Sequence, residues 1–165
     1  MTGEPEPAYW IWVFGEIEGL RWVLQHRHMA FPASSRTRAT RIRPGDRAVL
    51  HVSRGAFHNP TRDVSRLAGI AEVTGPVHEV EPIEITGRQF TLTCPIDLLV
   101  VLPERHGPEL KPLAASLSFV KRPEVWGHYF RVSPIRITSE DFNHLARAIS
   151  LGSREARRGT GAGPA

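Results

Sequence analysis

The densest group of chemically useful side chains lies between two strand-like runs, residues 47–52 and 67–73. A simple hairpin needs only about two to five connecting residues, and this connection is longer. Long loops carried by rigid strands often hold binding residues. We therefore predict a binding site here, built from a hydroxyl, an aromatic ring, an imidazole and an amide: Ser53, Phe57, His58 and Asn59.

Aromatic side chains elsewhere in the chain could stack on a flat ligand such as a nucleobase. Trp10 belongs to an aromatic and β-branched run that predicts a strand, so we assign it to the core. Phe31 and Trp126 lie in predicted loops, like Phe57, and for these three a core role and a pocket role are both open. The predicted base pocket comprises Trp12, Phe14, Phe31, Pro32, Ser53, Phe57, His58, Asn59 and Trp126.

The chain is basic, and its charge is unevenly distributed. Of 21 basic residues only Lys111 and Lys121 are lysines, and residues 21–66 hold ten arginines but only two acids. A concentrated basic segment is typical of a polyanion-binding protein, although an ordinary solvated surface can carry the same charges. The predicted phosphate-binding residues are Arg36, Arg38, Arg41, Arg54 and Arg62.

Little in the sequence indicates catalysis, a metal or a cofactor, and we expect none of the three. Cys94 has apolar neighbours at every second position of a predicted strand, which indicates a buried, inert thiol. The eight histidines are scattered, and no common metal, nucleophile or phosphate-loop motif is present. One alternative stays open: a small hydrolase or nuclease acting through His51, His58 and Asp63.

The elements that must position these residues are mostly strands. Apolar periodicity predicts about six strands, an early helix over residues 16–25, and a last helix that begins with a capping box at Thr138 and ends near Ile149. Strands that follow one another through short turns predict an α+β fold, with a curved, mainly antiparallel sheet or barrel and flanking helices.

The domain organisation follows from composition. We predict a flexible N-terminus over residues 1–8, one folded domain over 9–150, and a disordered basic tail over 151–165, which is rich in glycine. A single cysteine, no signal-peptide pattern and no apolar run of membrane length predict a cytoplasmic protein.

Several short segments occur in an order that carries a family resemblance over residues 9–149: Tyr9-Trp10-Ile11-Trp12, residues 45–53, residues 69–73, residues 117–120 with 126–131, and residues 137–142. Together they resemble the EVE domain, a member of the PUA-like superfamily that also contains YTH and ASCH domains. The chain departs from the family at Val13-Phe14, where a lysine and a serine are usual, and at His51, where an aromatic is frequent.

The resemblance implies a PUA-like fold and a module that holds a modified base in an aromatic cage. By position, Phe31 corresponds to a cage aromatic after the first helix, and Ser53 to the start of the pocket-lining segment. We expect Phe31, Phe57 and Trp126 to sandwich a flipped base, while Ser53 or Asn59 reads its edge. Modified cytosine in DNA is the first expectation and RNA the second, with a nuclease or modification-system protein as a partner. A PUA-like domain that binds a small molecule or nucleotide is another alternative.

Overall fold

The computed structural model describes residues 6–161, with side chains up to residue 154. The strands of this part are β1 (Tyr9–Phe14), β2 (His28–Phe31), β3 (Arg47–Val52), β4 (Arg66–Val73), β5 (His78–Ile85), β6 (Arg88–Val101) and β7 (Ile135–Ile137). The α-helices are α1 (Ile17–His26), α2 (Arg36–Ala39), α3 (Lys111–Ala114) and α4 (Ser139–Gly161), and 3-10 segments cover Ala33–Ser35 and Pro123–Phe130.

All seven strands belong to one curved, mixed sheet in the order β2-β6-β4-β3-β1-β7, with β5 also paired to β6. Only β1 and β3 run parallel; the other pairs are antiparallel. The first half of the 14-residue strand β6 pairs with β2 and β5, and its second half pairs with β4. One long strand therefore joins the two parts of the sheet, and the predicted α+β fold with a curved, mainly antiparallel sheet is confirmed.

The side chains of β1 alternate between two cores, because successive residues of a strand point to opposite faces. Trp10, Trp12 and Phe14 pack in a core with α1 and β2. Ile11 packs in the second core, which contains the apolar stripe of α4. Both faces of β1 are therefore covered, as the apolar character of the whole strand predicts.

The buried carboxylate of Asp46 fixes the start of β1. It accepts hydrogen bonds from the Ala8 N–H at 2.9 Å, the Trp10 Nε1–H at 2.9 Å and the Arg43 N–H at 3.0 Å. Asp46 is only 3% exposed, so the charge depends on these three donors. The network sets β1 beside β3 with Phe14 opposite Val52, and it makes Trp10 a core residue.

The last helix begins as predicted but extends further. The Asp141 N–H donates to Thr138 Oγ1 at 3.1 Å, which is the predicted cap. The helix continues past Ile149 to Gly161, so predicted disorder over 151–161 is wrong. This stretch contains arginine, alanine and glutamate, which have high helix propensity. Residues 1–5 and 162–165 of the predicted flexible ends lie outside the described residues.

Two other elements differ from the prediction. Residues 28–31, predicted mostly as loop, form β2 because they pair with residues 92–95 of β6. The last strand, which the apolar pattern predicts over residues 130–137, is only three residues long and follows the 3-10 segment Pro123–Phe130. Within residues 6–161, no helix is long and apolar enough to cross a membrane.

Candidate functional site

A cavity of about 550 Å³ lies at the carboxyl end of β1. Its apolar lining includes the four rings Phe14, Phe31, Phe90 and Phe130, with Val13, Val23, Met29, Ala30, Pro32, Ile85 and Val132. Its polar lining consists of Glu16, Ser34, Ser35, Arg38, Ser53, Arg88, Arg131 and Ser133, and Gly15 and Gly19 complete it. Aromatic rings and a few convergent polar groups are typical of a small-ligand site.

Strand pairing places Ser53 in this lining. Because β1 and β3 are parallel, with Phe14 opposite Val52, Ser53 follows directly beside Phe14. The Ser53 N–H donates to the Phe14 carbonyl oxygen at 3.0 Å. The end of the strand therefore brings Ser53 beside Phe14, and both residues line the cavity.

The segment 130–133 is fixed to the cavity by two hydrogen bonds. The Ser35 hydroxyl donates to the Ser133 carbonyl oxygen at 2.9 Å, and the Val13 N–H donates to Ser133 Oγ at 3.0 Å. These bonds join residues from three distant parts of the chain. The cavity wall is therefore held in place by hydrogen bonds within the protein.

The β5–β6 hairpin supplies Ile85, Arg88 and Phe90 to the lining. At the tip of this hairpin the Thr86 hydroxyl donates to the Glu16 carboxylate, close to the start of α1. Glu16 is the one carboxylate of the lining, against three guanidinium groups. The cavity therefore has an aromatic interior and a net positive charge.

The structure brings five of the predicted site residues together in the cavity lining: Phe14, Phe31, Pro32, Ser53 and Arg38. Trp12 lies immediately behind it and is fully buried. Its indole ring meets the Phe31 ring edge-on, with 6.0 Å between centroids. Trp12 therefore supports Phe31, and its Nε1–H has no hydrogen-bond partner among the described residues.

The predicted sandwich of Phe31, Phe57 and Trp126 does not form. Only Phe31 lines the cavity. Phe57 carries the Arg105 guanidinium over its ring, with the central carbon 4.1 Å from the ring centroid. Trp126 packs against the second core, 5.9 Å from the Phe130 ring centroid, so it lies behind a lining residue.

The loop over residues 54–63 is a structural clamp rather than a pocket rim. The ring of His58 and the carboxylate of Glu18 on α1 form a hydrogen bond of 2.8 Å, and Asp63 accepts one of 2.8 Å from Arg105. The pKa of Glu18 is lowered from its usual value. The largest cause is a hydrogen bond with the backbone, and the next is the hydrogen bond with the His58 ring. Asn59 accepts the Thr61 hydroxyl at 3.2 Å and does not line the cavity.

The other predicted phosphate-binding arginines are outside the cavity lining. Arg36 forms an ion pair with Glu79, whereas Arg41, Arg54 and Arg62 are exposed. In the sequence, these four arginines lie in the segments just before and just after β3. Sequence patterns missed Arg88, Phe90, Phe130 and Arg131, although the last two belong to the late segment of the family resemblance.

The residues of the catalytic alternative have separate partners, and no hydrogen bond joins any two of them in the described part of the chain. His51 is 2% exposed, and burial lowers its pKa from 6.5 to about 4. Its ring meets Phe130 edge-on at 5.3 Å between centroids. Cys94 is buried, which raises its pKa to about 12. Among residues 6–161 no cluster of three His, Cys, Asp or Glu could hold a metal ion.

Comparison with known proteins supports the fold and not a particular family. No family model and no curated protein matches the chain. Similar solved structures include the YTH domain of the Zygosaccharomyces rouxii MRB1 protein in complex with N6-methyladenosine RNA, with a TM-score of 0.58, 11% identity and 90% of both chains covered. The chain has a PUA-like fold.

Two bacterial structures share this PUA-like architecture. Rpa0253 from Rhodopseudomonas palustris has a TM-score of 0.55 and 18% identity over 87% of this chain and 94% of its own. PSPTO5229 from Pseudomonas syringae has a TM-score of 0.55 and 15% identity over 88% of this chain and 99% of its own. The PUA-like fold predicted from the ordered segments is confirmed, while membership of the EVE domain family stays a prediction.

Proposed function

We propose that this PUA-like chain is a nucleic-acid-binding module that takes a modified base, flipped out of its strand, into the cavity beside β1. The observation that carries the proposal is the cavity of about 550 Å³, whose lining includes four phenylalanines and three arginines. Its volume lies within the range of about 300–1,000 Å³ that accommodates drug-sized ligands. A flat apolar ring with a charged backbone attached matches this lining.

The rings give the base its affinity. Stacking on an aromatic side chain contributes about 1–3 kcal/mol per base, and flipping a base costs a few kcal/mol. Affinity for an unmodified duplex should therefore be weak, and single strands should bind better. The hydroxyl of Ser53, a residue of the cavity lining, is suited to read a polar edge of the base.

An added methyl group on the base would increase its binding affinity by a modest amount. Burying one methyl-sized group contributes about 0.8 kcal/mol, which corresponds to roughly fourfold in affinity. The YTH domain of the MRB1 protein, which has the same fold, was solved with N6-methyladenosine RNA. Modified cytosine in DNA is our first candidate ligand, and methylated RNA is the second.

Arginines outside the cavity would hold flanking phosphates. Arg41, Arg54 and Arg62 are exposed, and none of them forms an ion pair with another described residue. Each phosphate neutralised on a single strand steepens the salt dependence of binding by about 0.7 log units per log unit of salt. The fully buried His51 removes one member of the proposed hydrolase set, so we do not favour catalysis.

A binding screen tests this function. Short single-stranded DNA and RNA oligonucleotides carrying 5-methylcytosine, 5-hydroxymethylcytosine or N6-methyladenine would be titrated against matched plain strands by fluorescence anisotropy. The proposal expects one modification to bind at least about fourfold more tightly than its plain counterpart. Equal binding to modified and plain strands would indicate a general polyanion binder and would contradict recognition of a modified base. Absence of binding to every strand would overturn the whole proposal.

A further inference from the structure

We propose that the cavity also holds the phosphate of the flipped nucleotide, through Arg38, Arg88 and Arg131. The ligand unit would then be a whole nucleoside monophosphate rather than a base alone. This inference rests on the proposed function, and it adds to the arginines that would hold flanking phosphates a set drawn from three separate elements of the cavity.

Chain pairing brings the three arginines to one cavity. The Ser35–Ser133 hydrogen bond joins the segment leading into Arg38 with the segment that contains Arg131. In the antiparallel pair of β2 and β6, Phe31 lies opposite Leu92. Extending both chains from that point brings the start of β6, with Arg88, alongside the residues that follow β2. All three side chains therefore contribute to the same lining.

The three arginines are exposed where they line the cavity, and no acid neutralises them within the described part of the protein. None of the three forms an ion pair or a side-chain hydrogen bond there. Five other arginines do form ion pairs with acids: Arg21, Arg36, Arg47, Arg105 and Arg122. The only carboxylate in the lining, Glu16, already accepts the Thr86 hydroxyl. An anion held by several guanidinium groups would balance this charge, and phosphate matches the planar guanidinium fork.

One of these arginines is already oriented by an aromatic ring of the lining. The guanidinium carbon of Arg88 lies 5.5 Å from the centroid of the Phe90 ring, close enough for a cation–π contact. A base stacked inside the cavity and a phosphate at the Arg88 end would occupy the apolar and cationic parts of one site. The cavity is also larger than a single pyrimidine ring requires.

Isothermal titration of free nucleotides tests the phosphate site. The probes are 5-methyl-2′-deoxycytidine and N6-methyladenosine, each compared with its 5′- and 3′-monophosphates. We expect a monophosphate of at least one pair to bind about tenfold more tightly than its nucleoside, as expected for hydrogen bonds to a charged group. Arg38→Gln, Arg88→Gln and Arg131→Gln should each reduce that advantage several-fold without changing nucleoside affinity.

Arg147→Gln is the matched control, because Arg147 is exposed on α4 and outside the lining. It should retain the full advantage, and thermal melting would verify that all four variants fold. A second arm uses an oligonucleotide with a neutral methylphosphonate beside the modified base. The wild type should lose affinity for it, and the Arg131→Gln variant should not, which extends the result from free nucleotides to a nucleic-acid chain.

The outcomes separate this inference from the proposed function. Equal affinity for nucleoside and monophosphate would overturn the phosphate site and leave modified-base binding standing. An arginine-dependent preference for monophosphates that is the same for modified and plain bases would support the phosphate site and count against modified-base recognition. Absence of binding to every probe would overturn both.

Discussion

His51 should make the protein lose stability in mild acid. It lies in β3, is 2% exposed, and both of its ring nitrogens lack a hydrogen-bond partner among the described residues. Burial favours the neutral ring and lowers its pKa from 6.5 to about 4. In the unfolded chain the ring takes up a proton near pH 6.5, so acid favours unfolding.

The sign and size of the stability loss follow from the difference between the pKa of His51 in the unfolded chain and in the folded protein. Above pH 6.5 the ring is neutral in both states and has no effect on the pH dependence. As the pH falls from 6.5 to about 4, the free energy of unfolding decreases, and below that range His51 contributes no further change. At about 1.4 kcal/mol for each pH unit, the total loss is about 3 kcal/mol.

Urea unfolding at a series of pH values between about 7.5 and 4.5 measures the effect. His51→Phe keeps an aromatic ring at the site and removes the titration, and His51→Gln is a second variant in case the first folds poorly. His106→Phe makes the same change at an exposed histidine. The wild type and His106→Phe should lose about 2–3 kcal/mol more than His51→Phe across the range.

Acidic groups elsewhere titrate equally in all variants, so only the difference between pH profiles is interpreted. If His51→Phe and the wild type lost stability in parallel, the buried neutral histidine would be refuted. A profile that differs only above pH 6.5 would contradict the sign of the argument.

Two further predictions compare matched substitutions. Phe90→Leu should weaken binding of the best modified oligonucleotide about tenfold, because it removes the partly exposed ring of the cavity lining, whereas Phe57→Leu should not. Fluorescence anisotropy measures both, and an equal loss would argue against the cavity. Gly107→Ala should lower the free energy of unfolding by about 3 kcal/mol, because its Cβ would lie 1.7 Å from the Leu67 carbonyl oxygen. Gly127→Ala, with no atom within 4 Å of the new Cβ, should have little effect in the same urea titration, and similar losses would contradict the packing described.

Local patterns in the sequence predict much of the fold. Side-chain periodicity predicts β1 from its aromatic and β-branched run and α1 from its apolar stripe. Ile17, Leu20 and Val23 are buried, as that stripe requires. The cap at Thr138 is also local, since its donor and acceptor are three residues apart. By contrast, residues 28–31 form the strand β2 because they pair with residues 92–95 of β6. Nothing within these four residues indicates a pairing partner so far along the chain.

The candidate site divides in the same way. Phe14 could be predicted from the aromatic run that it ends, and Ser53 from its place between a strand and a long loop. The parallel pairing of β1 and β3 that brings the two residues together could not be predicted. Loop aromatics could not be assigned, since their role depends on a distant contact: Phe57 on Arg105, and Trp126 on Phe130. Alternation along β6 predicts which residues share a face but not that this face closes a cavity.

Amide chemical shifts on adding the best modified oligonucleotide test the central claim most directly, and a chain of 18.4 kDa suits this measurement. A base bound in the cavity should shift the amides of Phe14, Phe31, Ser53 and Phe90 most strongly, with smaller shifts at the clamp residues 54–63. Large shifts confined to the clamp and the exposed arginines, with the cavity amides unchanged, would contradict recognition of a flipped base in this cavity.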